Sequence, residues 1–328
     1  MNTSPPTPAS GRIDTHHHIV PPFYRNWLQD KGITAGGKAI PEWTVDAALE
    51  LMDITDVATA ILSVSTPGVE PGVLHEARSM ARQVNDYAAT VAAENPGRFG
   101  FFATVPLPDI DGSIAEAGYA LDVLDADGVV LLSNTRGVYL GDAQYLPLME
   151  YLNNRHAVVF VHPSALPAVP VDGIPPYVAD FLLDTTRAAI NLAKTGTIDR
   201  FPNIKFILSH AGGFLPFAAA RVAVGASPTG ESADGLRLLR RFYFDTALSA
   251  SESALPSLTA FADPNRILYG SDFPYAPAER SRTFTAALDA YPAIDHAAVN
   301  HVNAGRLFPR FTRVRSTSDG VVEAGKFP

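Results

Sequence analysis

The feature that most restricts the fold of this chain is a repeated alternation of short apolar segments with helical segments. Continuous apolar segments of this length predict strands buried on both faces, as in a parallel sheet. The stretches between them have helical spacing and are typical of βα units. Eight such repeats favour a (β/α)8 TIM barrel, a single α/β domain, over an open sheet. The predicted strands cover residues 11–18, 57–64, 98–105, 127–133, 157–162, 204–210, 242–246 and 266–271.

The predicted barrel domain covers residues 11–310, and no linker or low-complexity block divides it. Residues 1–10 (MNTSPPTPAS) are polar and rich in proline, without the basic start and apolar run of a signal peptide. We predict a disordered leader there. Residues 311–328 are predicted to form a polar, loosely ordered tail. The chain has 328 residues, of which 47% are hydrophobic, so one large core is feasible.

Charge and composition exclude several classes of function. The net charge is −9 and the basic residues form no cluster, so neither nucleic acid nor an anionic membrane surface is an expected partner. No apolar run approaches the ~18 residues that span a bilayer, and a cytoplasmic location is expected. There is no cysteine, which removes disulfides and thiolate metal sites. A small anionic substrate remains compatible if a bound cation reverses the local field.

A histidine run ends the first predicted strand. Successive strand side chains point to opposite faces, so His16 and His18 share one face and His17 takes the other. Two imidazoles on one side of a strand end can bind one divalent cation. The alternative is a chance run or part of a purification tag, and the run alone does not decide between these interpretations.

Other ligand-type residues fall at the ends of further predicted strands. His162 ends the fifth, His210 ends the sixth and Asp272 follows the eighth. Each residue also has a purely structural explanation. His162 could be a core histidine, His210 could cap the following helix, and Asp272 could be an N-cap residue. In a (β/α)8 barrel, however, the carboxyl ends of the strands meet at one face, where active sites are built. Their convergence with the histidine run therefore predicts a metal site.

Several motifs together resemble those of a known family. They are HxH in the first strand, VHP in the fifth, SHAGG after the sixth and GSDFP after the eighth. This set resembles the amidohydrolase superfamily, and within it the metal-dependent decarboxylases of aminocarboxymuconate-semialdehyde and γ-resorcylate. The stretches FLLDTTRAAINLAKTGTIDRFPNIKFILSHAGGFLPF and RRFYFDTALSAS are most similar to the 6-methylsalicylate decarboxylases of that branch.

The resemblance implies roles for the residues at the strand ends. His16, His18, His162 and Asp272 would be the metal ligands, and His210 a catalytic acid/base. It also implies one divalent metal per chain, Zn²⁺ or alternatively Mn²⁺, and a homodimer or homotetramer.

The fourth predicted strand bears on the number of metal ions. Two-metal members of the superfamily have a bridging lysine or glutamate at the end of this strand. Here the strand ends in Ser133 and Asn134, and every lysine lies elsewhere. Because this bridging residue is missing, the resemblance implies a site with a single metal ion.

The reaction implied is non-oxidative decarboxylation of an ortho-hydroxybenzoate such as 6-methylsalicylate, a small aromatic carboxylate. The ring carbon that bears the carboxylate would be protonated, by Asp272 or by His210, before CO₂ leaves. The alternative within the same superfamily is a mononuclear hydrolase of a lactone or an amide, in which the metal generates hydroxide and His210 acts as base. A barrel that binds a metal or a small molecule without catalysis is a third alternative. However, all four expected metal-ligating residues and His210 are present.

Five further residues are candidates for contact with substrate. Phe214 and Phe273 follow the SHAGG and GSD motifs and could pack against an aromatic ring, although ordinary core packing explains them equally well. Tyr24 and Arg25 lie just beyond the first strand and Arg136 just beyond the fourth. An arginine there could bind a carboxylate with two parallel hydrogen bonds, but a surface position is the favoured explanation for each one.

Overall fold

The structure, a computed structural model, describes residues 11–312 and contains an eight-stranded parallel sheet wound into a barrel. The spatial order of the strands follows the chain, and each strand pairs in parallel with the next. The predicted (β/α)8 barrel is thereby confirmed. The strands are β1 (Arg12–His18), β2 (Val57–Ser63), β3 (Phe99–Thr104), β4 (Gly128–Leu132), β5 (Val158–His162), β6 (Lys205–Leu208), β7 (Tyr243–Asp245) and β8 (Ile267–Leu268).

The barrel closes between β1 and the segment that follows β8. The Thr15 N–H donates to the Tyr269 carbonyl at 3.0 Å, and the His18 N–H donates to the Phe273 carbonyl at 2.7 Å. These bonds run past the end of β8, which itself has only two residues. The first strand is thus fixed against the segment that carries the GSDFP motif.

Helices cover the outside of the barrel. Asp109 and Thr44 cap two of them by accepting backbone N–H groups of the first turn. The α-helices of the described residues are Pro22–Asp30, Val45–Ile54, Leu74–Glu94, Ile110–Asp122, Leu146–Asn154, Pro176–Lys194, Thr197–Arg200, Leu215–Ala226, Ser232–Leu239, Ala254–Phe261, Ala278–Ala290 and Asn303–Leu307, with a π-helical segment at Ala298–Val302.

Two local features differ from the predictions. The helix expected directly after His210 begins only at Leu215, because Gly212 and Gly213 have φ values of 75° and 67°, which an α-helix cannot accommodate. A short hairpin, Asn134–Thr135 with Val138–Tyr139, follows β4 where no regular structure was predicted. These two-residue strands lie in no continuous apolar segment of strand length, so the sequence offers no strand pattern there.

An apolar layer fills the barrel beneath its carboxyl end. Phe102 and Phe160 stack inside it with ring centroids 5.4 Å apart, and Phe308 from the C-terminal part of the domain contacts Phe102 at 5.9 Å. The next layer towards the carboxyl end is polar, since the His16 ring lies 4.9 Å from Phe160. The barrel is therefore closed at one end and carries its histidines at the other.

Within residues 11–312, no helix combines the length and the apolar character that crossing a bilayer requires. The predicted disordered leader, residues 1–10, lies outside the described residues. So does the predicted tail, apart from residues 311 and 312, which belong to a short 3₁₀ turn and its end.

Candidate metal centre and active site

Three strands bring four ligand-type side chains to one point at the carboxyl end of the barrel. His16 and His18 share one face of β1, His162 is the last residue of β5, and Asp272 follows β8. One donor atom from each lies within 4.8 Å of all the others, and all four residues are buried. The four residues that the motifs singled out as ligands are thus brought together; their role as ligands stays a prediction.

The ring nitrogens that face away from this cluster are held by hydrogen-bond acceptors. His16 Nδ1 lies 2.8 Å from Asp245 Oδ2, His18 Nδ1 lies 3.2 Å from the Ser63 carbonyl, and His162 Nδ1 lies 2.9 Å from the Pro163 carbonyl. A proton on each Nδ1 satisfies these acceptors and leaves the Nε2 lone pair of each ring free to bind a cation. This orientation by surrounding groups is typical of metal-binding histidines.

Asp272 divides its two carboxylate oxygens between two tasks. Oδ1 lies 3.2 Å from His16 Nε2 and 3.1 Å from His18 Nε2, whereas Oδ2 lies 3.6 Å from His210 Nε2. His210 follows β6 and stands outside the set of four, and its Nδ1 has no hydrogen-bond partner although it is buried. The structure therefore brings His210 next to Asp272, as expected for an acid/base.

The cluster has a strongly perturbed electrostatic environment. Burial disfavours the charge of Asp272, but the contacts with His16, His18 and His210 outweigh this and hold its pKa well below the ordinary value. Burial lowers the pKa of His16, yet Asp245 and Asp272 raise it to about 10. Burial and the neighbouring histidines keep the pKa of His162 well below its usual value. The two carboxylates thus favour positive charge on His16, whereas His162 is held neutral beside it.

The donor set fits one divalent metal ion. Metal–ligand distances of about 2.0–2.2 Å place ligand atoms roughly 3–4.4 Å apart, close to the observed grouping. Three imidazole nitrogens and one carboxylate oxygen suit Zn²⁺ and Mn²⁺ alike. At the end of β4, where a bridging ligand for a second ion would lie, Ser133 and Asn134 are buried, and Asn134 donates to Asp184 at 2.9 Å.

A cavity of about 570 Å³ opens above the cluster. This size lies within the range of small-molecule sites. His162, His210 and Asp272 form part of its wall, and the Phe181 ring lies 6.4 Å from the His162 ring. Its further lining residues are Ala35, Lys38, Ser65, Tyr177, Val178, Leu182, Leu248, Ser249, Tyr275, Ala276, Pro277 and Arg280.

The two arginines proposed to contact substrate lie outside the wall of this cavity. Arg25 pairs with Glu42 and donates to the Ile40 carbonyl. Arg136 is largely exposed and pairs with Glu70 at 3.0 Å. Each guanidinium already has a carboxylate partner, and neither adjoins the cluster.

The three aromatic candidates are also absent from the cavity wall. Tyr24 is buried and donates its hydroxyl to the Gly68 carbonyl at 2.7 Å. Phe273 packs against His17, the histidine on the opposite face of β1, and Phe214 is 40% exposed. A substrate contact by any of them stays a prediction that the cavity does not support.

Sequence analysis missed several residues of the site. Asp245 ends β7 and would have been found by applying the strand-end rule to that strand as well. Lys38 lies in a Gly-rich connection, and its ammonium reaches the Tyr275 carbonyl across more than 200 positions of sequence. Phe181 lies on a helix whose pattern shows only that one face is apolar. For these two residues no local signal exists.

Comparison with known proteins identifies the family. The family model described as amidohydrolase matches residues 13–310. The chain belongs to the amidohydrolase family. The resemblance inferred from the motifs is thereby confirmed.

Several relatives of the chain are named decarboxylases. Decarboxylase yanB of Aspergillus niger is 40% identical over 326 residues, which cover 92% of this chain and 88% of that protein. The 6-methylsalicylic acid decarboxylase of Penicillium expansum is 37% identical over 324 residues, covering 94% of this chain and 98% of that protein.

Solved structures share the same barrel. The crystal structure of a protein described as amidohydrolase II superposes with a TM-score of 0.87 at 32% identity, covering 91% of this chain and 100% of that chain. A dihydroxybenzoic acid decarboxylase from Polaromonas sp., solved with bound manganese and the inhibitor 2-nitroresorcinol, gives a TM-score of 0.74 at 21% identity, covering 92% and 97%. The second likeness shows the common fold.

Proposed function

We propose that this protein is a metal-dependent, non-oxidative decarboxylase, a carboxy-lyase, that acts on an ortho-hydroxybenzoate such as 6-methylsalicylate. The observation that carries the proposal is the buried cluster of three histidines and one aspartate at the base of a ring-sized cavity, with His210 beside it. Relatives 37–40% identical to the chain over more than nine-tenths of its length, all named decarboxylases, support the reaction class.

His16, His18, His162 and Asp272 would hold one divalent cation, Zn²⁺ or Mn²⁺. When bound, the cation supplies positive charge that positions a chelating carboxylate and hydroxyl and favours the phenolate form of the ring. Manganese gains some support from the Polaromonas decarboxylase, whose structure contains that ion. Imidazole and carboxylate ligands accept both ions, so availability and geometry decide between them.

The walls of the cavity suit an apolar ring with one anionic edge. Phe181, Leu182 and Leu248 offer apolar surface above the cluster. A flat ring buried against such side chains is stabilised by removal of its surface from water. Lys38 and Arg280 bring positive charge to the same cavity, which favours an anionic substrate over a neutral one.

Asp272 and His210 would supply the proton that the reaction needs. Asp272 rests as a carboxylate, because its pKa is far below the ordinary value. It can deliver a proton only after receiving one, and His210 Nε2, 3.6 Å from Asp272 Oδ2, is placed to provide it. A C–H bond then forms at the ring carbon that bears the carboxylate. The C–C bond breaks, CO₂ leaves, and the electron pair restores aromaticity.

The proposal is tested by measuring CO₂ release from a panel of ortho-hydroxybenzoates headed by 6-methylsalicylate. Metal-loaded protein is expected to release CO₂ from at least one of them, and Asp272→Asn to lose at least about 10²-fold in rate. The matched control is Asp127→Asn. The Asp127 carboxylate is buried and accepts the Phe101 N–H, but it belongs neither to the cavity wall nor to the group of four proposed ligands. This control is expected to keep the rate. Metal-loaded protein that releases no CO₂ but hydrolyses lactones or amides would contradict the decarboxylase assignment.

We also propose that the protein assembles as a homodimer or homotetramer. Large apolar side chains are exposed in the loop after β5 (Val169), at the cavity wall (Val178) and on the helix Leu215–Ala226 (Phe217). Exposed apolar surface of this kind is typical of protein–protein contacts. Sedimentation velocity would give the mass directly, and a monomer at micromolar concentration would contradict this part of the proposal.

A further inference from the structure

We propose that Asp245 is a positioning residue that serves both halves of the site with one carboxylate. It orients the His16 ring towards the metal and holds the backbone of His210. The inference rests on the proposed function only in the roles of His16 as ligand and His210 as acid/base. It is independent of which substrate the enzyme uses.

The geometry around Asp245 connects three strands. Asp245 is the last residue of β7 and has no exposed surface. Its Oδ2 lies 2.8 Å from His16 Nδ1 on β1. Its Oδ1 accepts the N–H of His210, which follows β6, at 2.9 Å, and the N–H of Ala247 at 3.0 Å. Both carboxylate oxygens of Asp245 thus have hydrogen-bond partners, and Asp245 is not part of the cavity wall.

The contact with His16 differs in kind from the contacts of the other proposed ligands. His18 and His162 have backbone carbonyl oxygens as acceptors for Nδ1, whereas His16 has a carboxylate. A carboxylate holds the proton on Nδ1 more firmly and raises the basicity of Nε2, the nitrogen that faces the cluster. Asp245 therefore makes His16 the strongest imidazole donor of the three.

The contact with His210 holds a backbone conformation that is unfavourable by itself. His210 and Ala211 have φ values of 52° and 55°, in the left-handed region that non-glycine residues avoid. The bond from the His210 N–H to Asp245 helps to maintain this turn, which places His210 Nε2 near Asp272.

Asp245→Asn separates the two contacts. The asparagine Oδ1 can still accept the N–H groups of His210 and Ala247, so the turn is preserved. Its NH₂ group would then face His16 Nδ1 and donate to it, which moves the imidazole proton to Nε2 and removes the lone pair that the metal needs. Loss of an outer partner of a metal-bound histidine typically weakens metal affinity about 10–100-fold.

The test compares Mn²⁺ and Zn²⁺ affinities, measured by chelator competition, in wild-type protein, Asp245→Asn and Asp127→Asn. We expect Asp245→Asn to bind both ions at least about 10-fold more weakly, with Asp127→Asn unchanged. Equal affinity in all three proteins would overturn the proposal. Wild-type protein that binds no metal would overturn it together with the proposed function. Tight metal binding without CO₂ release would overturn the proposed function alone.

A second measurement needs no variant, in case Asp245→Asn does not fold. Nitrogen-15 NMR of histidine-labelled, Zn²⁺-loaded wild-type protein reports which nitrogen of each ring carries the proton. We expect His16 to be protonated on Nδ1, with a proton shift moved downfield by a carboxylate acceptor, while His18 lacks that displacement. A His16 signal that resembles that of His18 would contradict the role of Asp245.

Discussion

Among single residues, Asp184 illustrates how a buried carboxylate near the metal site supports it without contacting it. Asp184 lies on the helix Pro176–Lys194 and is fully buried. Its Oδ1 accepts hydrogen bonds from Asn134 at 2.9 Å and from the Tyr139 hydroxyl at 2.8 Å, and its Oδ2 accepts the Ser164 N–H at 2.9 Å. The loop that begins after β5 is thereby tied to the hairpin that follows β4.

The pKa of Asp184 makes its contribution to the stability of the fold dependent on pH. Burial raises its pKa to about 6, although the hydrogen bonds act in the opposite direction. The folded state therefore binds the proton more tightly than the unfolded state, whose pKa is about 3.9. The protonated Asp184 therefore stabilises the folded state. This stabilisation is fully present below about pH 4 and is lost as the pH rises through about 6.

We expect Asp184→Asn to remove this dependence. The difference in free energy of unfolding, wild type minus variant, should fall by roughly 2 kcal/mol between about pH 4 and about pH 7. Urea unfolding at these two pH values measures it. A difference that stays constant, or that rises with pH, would contradict the raised pKa.

The side chains of the metal cluster were predictable because each obeys a local rule. Strand alternation places His16 and His18 on one face, and the carboxyl ends of parallel strands meet at one edge of the barrel. Lys38 and Phe181 could not be predicted in this way. Their contacts with Tyr275 and His162 join distant segments, and only the folded chain brings these together.

Among the elements, the turn between β6 and the helix Leu215–Ala226 is the most constrained. Gly213 has a φ of 67°, and a Cβ atom there would lie 2.0 Å from the Leu182 carbonyl oxygen. The Phe214 N–H donates to the Thr186 hydroxyl at 2.9 Å, which fixes the start of the helix. The close approach of these backbones requires glycine.

Gly213→Ala is expected to destabilise the fold by about 2–4 kcal/mol, since the new methyl group meets a backbone atom that cannot move aside. The matched control is Gly225→Ala, on the helix that follows this turn, where a Cβ would meet nothing within 4 Å. This control is expected to gain about 0.5–1 kcal/mol from helix propensity. Urea unfolding of both variants gives the comparison. Equal stability would show that the turn relaxes.

The elements that sequence analysis found lie within longer sequence patterns. Each of the eight strands, including the two-residue β8, lies within a predicted segment of five to eight residues, and the order of these segments implied the barrel. The helix predicted at residues 211–224 was placed too early because the left-handed φ values of Gly212 and Gly213 leave no mark in a hydrophobic pattern. The hairpin after β4 was missed because its two-residue strands lie in no continuous apolar segment of strand length.

In the whole molecule, the cluster of three histidines and Asp272 lies where the barrel closes. His16 belongs to the first strand and Asp272 to the segment after the last, and the Asp272 N–H donates to the His16 carbonyl at 2.8 Å. His162 comes from β5, on the opposite side of the barrel. A bound cation would therefore join the two ends of the sheet to its middle.

The proposed decarboxylation places CO₂ release at this cluster. The most direct test titrates metal-depleted protein with Mn²⁺ or Zn²⁺ and measures bound metal and CO₂ release from 6-methylsalicylate, or from the best substrate of the panel, in the same samples. The rate should rise in proportion to bound metal and level off at one ion per chain. A full rate in metal-depleted protein, or a fully loaded cluster that releases no CO₂ from any of the acids, would contradict the claim.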